Sequence, residues 1–215
     1  MVSVVSVFHA GSAQQMKRLV IASNNPGKLR ELRALLAPLG FDAVAQSELG
    51  VSEADEPHAT FVENALAKAR HASRATGLAA LADDSGLCVP ALGGEPGVHS
   101  AHYAGTQGSR EQRDARNNTR LVRELRGHGD RRAFYCCVLV LARGADDPTP
   151  VIADGAWHGE IVLEPRGANG FGYDPHFLPH GSRLTAAELP AGEKNRQSHR
   201  ARALVALAEK LRAAS

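Results

Sequence analysis

Apolar positions along this chain recur with two periods, and the alternation between them predicts its elements. RLVIAS, 18–23, is short, β-branched and flanked by polar residues, which predicts a strand. NNPG follows as turn chemistry. Leu29, Leu32, Leu35, Leu36 and Leu39 then recur at helical spacing through KLRELRALLAPLG, and Pro38 and Gly40 end that helix. FDAVAQ, 41–46, predicts a second strand, and strand, helix, strand in that order argues an α/β arrangement. TFVE, 60–63, is a capping-box pattern that opens a second helix. Its apolar stripe is expected to be Val62, Leu66 and Ala69, and Gly77 stops it. LAALA, 78–82, predicts a short buried strand ending at Asp83 and Asp84.

The second half differs in rhythm. Residues 86–108 are rich in Gly and Pro and read as a long irregular loop, a length that is usually functional or disordered. A charged third helix is expected over 109–126. AFYCCVLVLAR, 133–143, is the strongest strand in the chain. DDPTP and a second long strand, 151–162, complete an antiparallel hairpin. Residues 164–183 read as loop. Ser198 to Ala213 forms a final helix, with Ser198 as N-cap and Leu204, Leu207, Ala208 and Leu211 on one face. These elements predict one α/β domain, 16–215: two lobes around a long mixed central sheet with flanking helices.

Composition narrows the classes. The chain has 215 residues, 43% of them apolar, and a net charge of only +2. Such a balance supplies no basic footprint for non-specific nucleic-acid binding. No apolar run reaches the roughly 18 residues of a membrane helix. The first fifteen residues, MVSVVSVFHAGSAQQ, lack a basic leader and carry Ser and His inside a short apolar run. They are expected to be a disordered extension or an upstream start. Three cysteines, Cys88, Cys136 and Cys137, show no metal-ligand spacing and read as buried thiols of a reducing compartment, with Cys88 the candidate for any reactivity.

Several stretches carry possible chemistry. SNNPGK, 23–28, joins a strand to a helix, and a helix N-terminus with a nearby Lys28 suits a phosphate. It is not a Walker A loop, because Leu29 stands where a magnesium-binding hydroxyl would follow the lysine. In LADDSGL, strand alternation sends Asp83 and Asp84 to opposite faces, so only one should meet a ligand unless the backbone bends there, and Gly86 would permit the bend. Glu53, Asp55 and Glu56 form a second acidic group, and a magnesium ion on a triphosphate needs only one or two protein carboxylates. Asn64 and Lys68 share a helix face. In GANGFGYDPHF, Phe171 and Tyr173 offer aromatic faces to a base, and Asp174 could accept from a base N–H. Lys194, His199 and Arg200 crowd cations at the start of the last helix, where only a bound anion or polar base would favour them.

The order of these stretches is more specific than any one of them. SNNPGK, TFVENALAKA, ADDSGL with LGGEPGVHSAHYAG, GFGYDP and AELPAGEKNRQSHRARAL together resemble the inosine triphosphate pyrophosphatase family over residues 17 to about 212. The resemblance implies a Mg²⁺-dependent enzyme that holds its substrate in a cleft between the two lobes and hydrolyses dITP, ITP and XTP to monophosphate and pyrophosphate, working as a cytoplasmic homodimer on small-molecule nucleoside triphosphates. It implies that Ser23, Asn24, Asn25, Pro26, Gly27 and Lys28 contact the triphosphate, with Lys68 stabilising charge. It makes Asp84 the catalytic carboxylate and a metal ligand, Glu56 a second metal ligand for which Glu53 or Asp55 could substitute, and Ser85 a substrate contact. Phe171, Gly172, Tyr173 and Asp174 would hold the nucleoside, and Lys194, His199 and Arg200 the base and phosphates. Asp83 is left as a supporting carboxylate. Two other functions fit the same residues: a pyrophosphatase of modified pyrimidine triphosphates, and a nucleotide sensor without turnover.

Overall fold

The computed structural model describes residues 17–213, so the expected extension over 1–15 lies outside the described residues. The elements are β1 (Lys17–Ile21), α1 (Pro26–Leu36), β2 (Phe41–Ala45), α2 (Phe61–Thr76), β3 (Ala80–Cys88), α3 (Arg110–Leu125), β4 (Arg132–Ala142), β5 (Val151–Ile161), β6 (Phe177–Pro179), α4 (Ala191–Gln197) and α5 (His199–Ala213). The strands form one sheet in the order β2-β1-β3-β4-β5-β6. β1 runs parallel to β2 and β3, while β3 through β6 pair antiparallel, so the sheet is mixed.

Alternation along the strands decides which helix covers which face. Leu19, Ile21, Leu81 and Leu139 point to one side, against Leu32 and Leu36 of α1 and Leu204 and Leu207 of α5. Val20, Ala80, Ala82 and Val140 point to the other, against Ala65, Ala69 and Ala72 of α2. Burying each of the large aliphatics contributes roughly 1.5–3 kcal/mol. At the far end, Leu121 and Leu125 of α3 pack with Tyr135, Trp157, Tyr173 and Phe177, which forms the second lobe.

The structure departs from the sequence expectations at four places. β3 does not stop at the Asp pair: its register with β4 is unbroken from Ala80↔Ala142 to Cys88↔Phe134. Gly86 therefore does not serve a bend. A Cβ there would lie 2.2 Å from the Gly97 carbonyl oxygen and 2.4 Å from Ser100 Oγ, so the glycine admits the 3-10 turn Gly97–His102 against the strand. The buried face of α2 is Asn64, Ala65, Lys68, Ala69, Ala72 and Ser73, and Val62 is exposed. Of the expected stripe, Ala69 lies on that face and Leu66 packs at its margin, while the polar Asn64 and Lys68, buried toward Asp84, take the place apolar periodicity gave to Val62. Finally, the expected loop 164–183 contains β6, which extends the sheet beside β5, and α4 precedes the last helix.

Candidate active site

The site forms where β1 ends and β3 continues. β1 pairs with β3 only through Val20↔Ala80 and Ile21↔Leu81, with Ala22 N–H donating to the Leu81 carbonyl. Beyond that point the β1-facing edge of β3 is open, and Lys28 Nζ lies 3.4 Å from the Asp83 carbonyl oxygen. α1 leaves β1 toward one face of the sheet and α2 enters β3 from the other. Open α/β sheets bind ligands at such a divergence, beyond the carboxyl ends of the strands. A cleft of about 480 Å³ occupies this place, with the SNNPGK turn, Glu56, Lys68 and both aspartates on one side and Phe171, Gly172 and Tyr173 on the other. That volume is within the range of small-molecule sites.

The two aspartates do point to opposite faces, yet both border the cleft, because β1 stops short and exposes both sides of β3. Asp84 faces α2. Lys68 Nζ sits 2.8 Å from Asp84 Oδ1 and 3.1 Å from Glu56 Oε1, and Asn64 Nδ2 lies 3.5 Å from Asp84 Oδ2. Burial raises the Asp84 pKa, and the Lys68 and Lys28 charges offset only part of that rise. Lys68 feels burial in the opposite sense, but Asp84 and Glu56 outweigh it and keep the ammonium charged.

Asp83 faces α1 and α5, in a nest of cations. Arg200 Nε donates to Oδ2 at 2.7 Å, Lys28 Nζ lies 2.6 Å from Oδ1, Ser85 Oγ donates to Oδ1 at 2.8 Å, and the Cys137 thiol donates to Oδ2 at 3.2 Å. Burial works against the Asp83 charge, but Arg200 and Lys28 overcome it and hold the carboxyl well below the usual range. Arg200 also donates to Glu31 and to Ser85 Oγ. Glu31 in turn accepts from Lys194 at 3.0 Å, and Lys194 reaches Asp174 at 2.6 Å. Asp174 further accepts from the Phe171 amide at 2.9 Å and the Tyr135 hydroxyl at 3.2 Å. One buried chain of alternating charge thus runs from the SNNPGK turn to the aromatic loop.

The SNNPGK turn is built by its own side chains. Asn25 Oδ1 accepts from the Gly27 and Lys28 amides at 2.9 and 3.1 Å, and Ser23 Oγ accepts from Asn25 N–H at 3.2 Å. The helix starts at Pro26, and Asn25 already satisfies two of the amides that an anion would use. Gly27 is required by a close approach: a Cβ there would lie 2.5 Å from the Phe171 ring. Phe171 therefore closes one lobe against the other.

Most of the sequence candidates converge on this cleft or its walls. Lys194 is buried behind it, and Asp174 is buried under the loop it anchors. His199 is buried, stacks on Tyr135 at 4.7 Å between centroids, and its Nδ1 makes no hydrogen bond among the described residues. Burial and the adjacent Arg200 charge hold its pKa well below the ordinary histidine value, so the ring is neutral. Glu53 also borders the cleft. Cys88 is half-buried and its thiol is pushed up to about 11 by burial and the neighbouring Cys136, which argues against a nucleophile.

Sequence reasoning missed Glu31, Tyr135 and Asp114. Glu31 shares a helix face with Lys28, three residues earlier, and that spacing was the available signal. Tyr135 gave none, since it lies in a strongly apolar strand. Asp114 lies four residues after Arg110 in α3 and accepts from the Gly172 amide at 2.9 Å.

The residues fit a hard divalent cation. Asp84 and Glu56 bring carboxylate oxygens to within reach of one ammonium, and the buried Asn24 Oδ1 beside them has no hydrogen-bond partner among the described residues. No group of three His, Cys, Asp or Glu side chains stands ready as a metal cage among the described residues. A cation held here would take one or two protein carboxylates and complete its shell with water and phosphate, as Mg²⁺ does. No helix among those described is long and apolar enough to cross a membrane.

Comparison with other proteins agrees with this architecture. A Ralstonia nicotianae protein named dITP/XTP pyrophosphatase is 66% identical over 197 residues, covering 92% of this chain and 98% of its own. A Bordetella pertussis protein of the same name is 65% identical over 198 residues, 92% of each chain. The solved structure of a HAM1 protein from Coxiella burnetii superposes with a TM-score of 0.82 at 46% identity, covering 91% of this chain and 98% of that one. The Ham1 family model matches residues 19–210, and the chain belongs to the Ham1 family.

Proposed function

We propose that this protein hydrolyses dITP, ITP and XTP to the nucleoside monophosphate and pyrophosphate with Mg²⁺. The observation that carries the reading is the meeting of the α1 turn with the Asp84–Lys68–Glu56 cluster in one cleft, in a chain 66% identical to a relative named for that activity. The triphosphate lies along the SNNPGK turn beside Lys28, and the nucleoside reaches Phe171 and Tyr173. His199 lines the cleft, and its Nδ1, without a hydrogen-bond partner among the described residues, serves the base.

Water attacks the α-phosphorus: a P–O bond forms to water, the bridging α–β P–O bond breaks, and pyrophosphate leaves with the electron pair. Asp84, set beside Lys68 and Glu56, orients this water and accepts its proton. Lys68 and Lys28 stabilise charge that develops on the phosphates, the larger part of catalysis in such transfers. Mg²⁺, when held by Asp84 and Glu56, adds Lewis-acid neutralisation of phosphate charge. The protein works as a cytoplasmic homodimer and needs no nucleic acid.

Product identification tests the reading. The full chain is incubated with Mg²⁺ and, separately, ITP, dITP, XTP, GTP, ATP and modified pyrimidine triphosphates. Monophosphate plus pyrophosphate from the first three is expected. Release of inorganic phosphate with a diphosphate would refute attack at the α-phosphorus. Binding without products would make the protein a sensor, and best turnover of a pyrimidine would shift its substrate class.

A further inference from the structure

The cations around the cleft are held unequally. Lys28 lies 2.6 Å from Asp83, and Lys68 lies 2.8 Å from Asp84. Lys194 and Arg200 are locked between carboxylates and are at most 5% exposed. Arg110, the first residue of α3, is different. Its side chain is 30% exposed and its nearest carboxylate oxygen, Asp114 Oδ2, is 3.8 Å away. That distance is beyond a hydrogen bond, and the same oxygen already accepts the Gly172 amide.

What Arg110 does touch is an aromatic face. Its guanidinium carbon lies 5.0 Å from the Phe171 ring centroid. The ring itself is fixed on several sides. It presses on the Gly27 backbone, and Lys194 Nζ stands 4.8 Å from its centroid. The Phe171 amide donates to Asp174, and α3 grips the next residue at both ends, through Asp114 on the Gly172 amide and Asn118 on its carbonyl at 2.9 Å. A fixed ring thus has one loosely held neighbour. A cation in the first turn of a helix is also opposed by the helix dipole, so the long ion pair with Asp114 and the Phe171 ring are what hold Arg110 in place.

We propose that Arg110 is the movable outer cover of the nucleobase. It rests on Phe171, and a purine stacking on that ring displaces it. The guanidinium then lies on the exposed face of the base, leaving the purine between an aromatic ring and a planar cation. A guanidinium suits this place, because it is weakly hydrated, planar and stacks on π-faces. This assignment rests on the reading of Phe171 as a nucleoside contact. It makes Arg110 a binding residue for the base, with no part in bond breaking.

Steady-state kinetics on Arg110→Met and Arg110→Lys test it, with ITP as substrate and inorganic tripolyphosphate, which has no base, as competitor. Arg110→Met is expected to raise KM for ITP about 3–10-fold with kcat within about twofold of wild type, the size of an exposed cation–π or stacking contact. Inhibition by tripolyphosphate should stay at the wild-type level, and Arg110→Lys should fall between. An unchanged KM would overturn the proposal. Equal weakening of ITP and tripolyphosphate would also overturn it, by making Arg110 a phosphate contact. Phe171→Ala separates the two levels: an unaltered KM there would remove the nucleoside reading itself, whereas a raised KM in Phe171→Ala with none in Arg110→Met would remove only the cover. Equal thermal unfolding of the Arg110 variants and wild type excludes misfolding as the cause, since the side chain is partly exposed at a helix start.

Discussion

Asp83 and Asp84 are neighbours of the same residue type on one strand, and the fold treats them oppositely. Both are buried, at 1% and 4% exposure. Asp83 receives two cations, a hydroxyl and a thiol, and its pKa falls. Asp84 receives one ammonium that it shares with Glu56, plus a long contact from Asn64, and its pKa rises. Burial raises both pKa values: Arg200 and Lys28 overcome it at Asp83, while at Asp84 the lysines offset only part of it and Glu56 adds a like charge. The Asp83 face satisfies its carboxylate with the protein alone. The Asp84 face leaves its carboxylate under-compensated, which is the condition for holding a metal or taking a proton.

The sharpest way to break this contrast is Asp84→Asn. Turnover of ITP is expected to fall about 10²–10⁴-fold, the usual range for a lost acid–base group. The fold already disfavours the Asp84 charge, so losing it should leave the unfolding free energy within about 1 kcal/mol of wild type. Near-normal turnover in this variant, measured under the same Mg²⁺, would end the catalytic assignment of Asp84.

Asp83→Asn should do the reverse damage. Arg200 is 1% exposed and would keep only Glu31 as a carboxylate partner. Removing one partner of a buried ion pair costs about 3–5 kcal/mol, so denaturant unfolding at neutral pH should show a loss of that size. A loss below about 1 kcal/mol would mean that the Asp83 nest is as loosely held as the Asp84 one.

Acid titration gives the smallest and finest separation. The Asp84 pKa is raised in the folded protein, so its charge opposes folding at neutral pH, and that opposition is relieved as pH falls through the raised value. The Asp83 pKa is depressed, so its stabilisation is complete above the ordinary aspartate range and is lost only as pH falls through the depressed value. In the metal-free protein, lowering the pH should therefore protonate Asp84 first, as NMR titration of the carboxyl carbons would show, while the Asp83 contribution to the unfolding free energy persists. Protonation of both carboxylates on one acid limb would place them in the same environment.

The parts of the site that could be read in the sequence are those with local chemistry. SNNPGK declared a turn and a helix start, and the Asn25 cap and Pro26 bear that out. Strand alternation correctly split the Asp pair. Lys68 was legible because it shares a helix face with Asn64. Glu31 and Tyr135 were not legible, since a charged residue on a surface-like helix and a tyrosine in an apolar strand have ordinary explanations. Their partners, Arg200, Lys194 and Asp174, lie far away in the chain. The buried face of α2 was misread because it is polar where it meets Asp84.

By itself the sequence determined the alternation of strands and helices and the opposite orientation of Asp83 and Asp84, because backbone periodicity is a local property. It also determined the ordered motifs that carry the family resemblance. Only the tertiary structure decided that β3 runs straight through the pair and that β1 stops early enough to open both faces to one cleft. It alone decided which aspartate meets two cations and which meets one. Those outcomes depend on where strands end and which distant side chains arrive there, and electrostatic energy depends on distances in space that the order of residues does not contain.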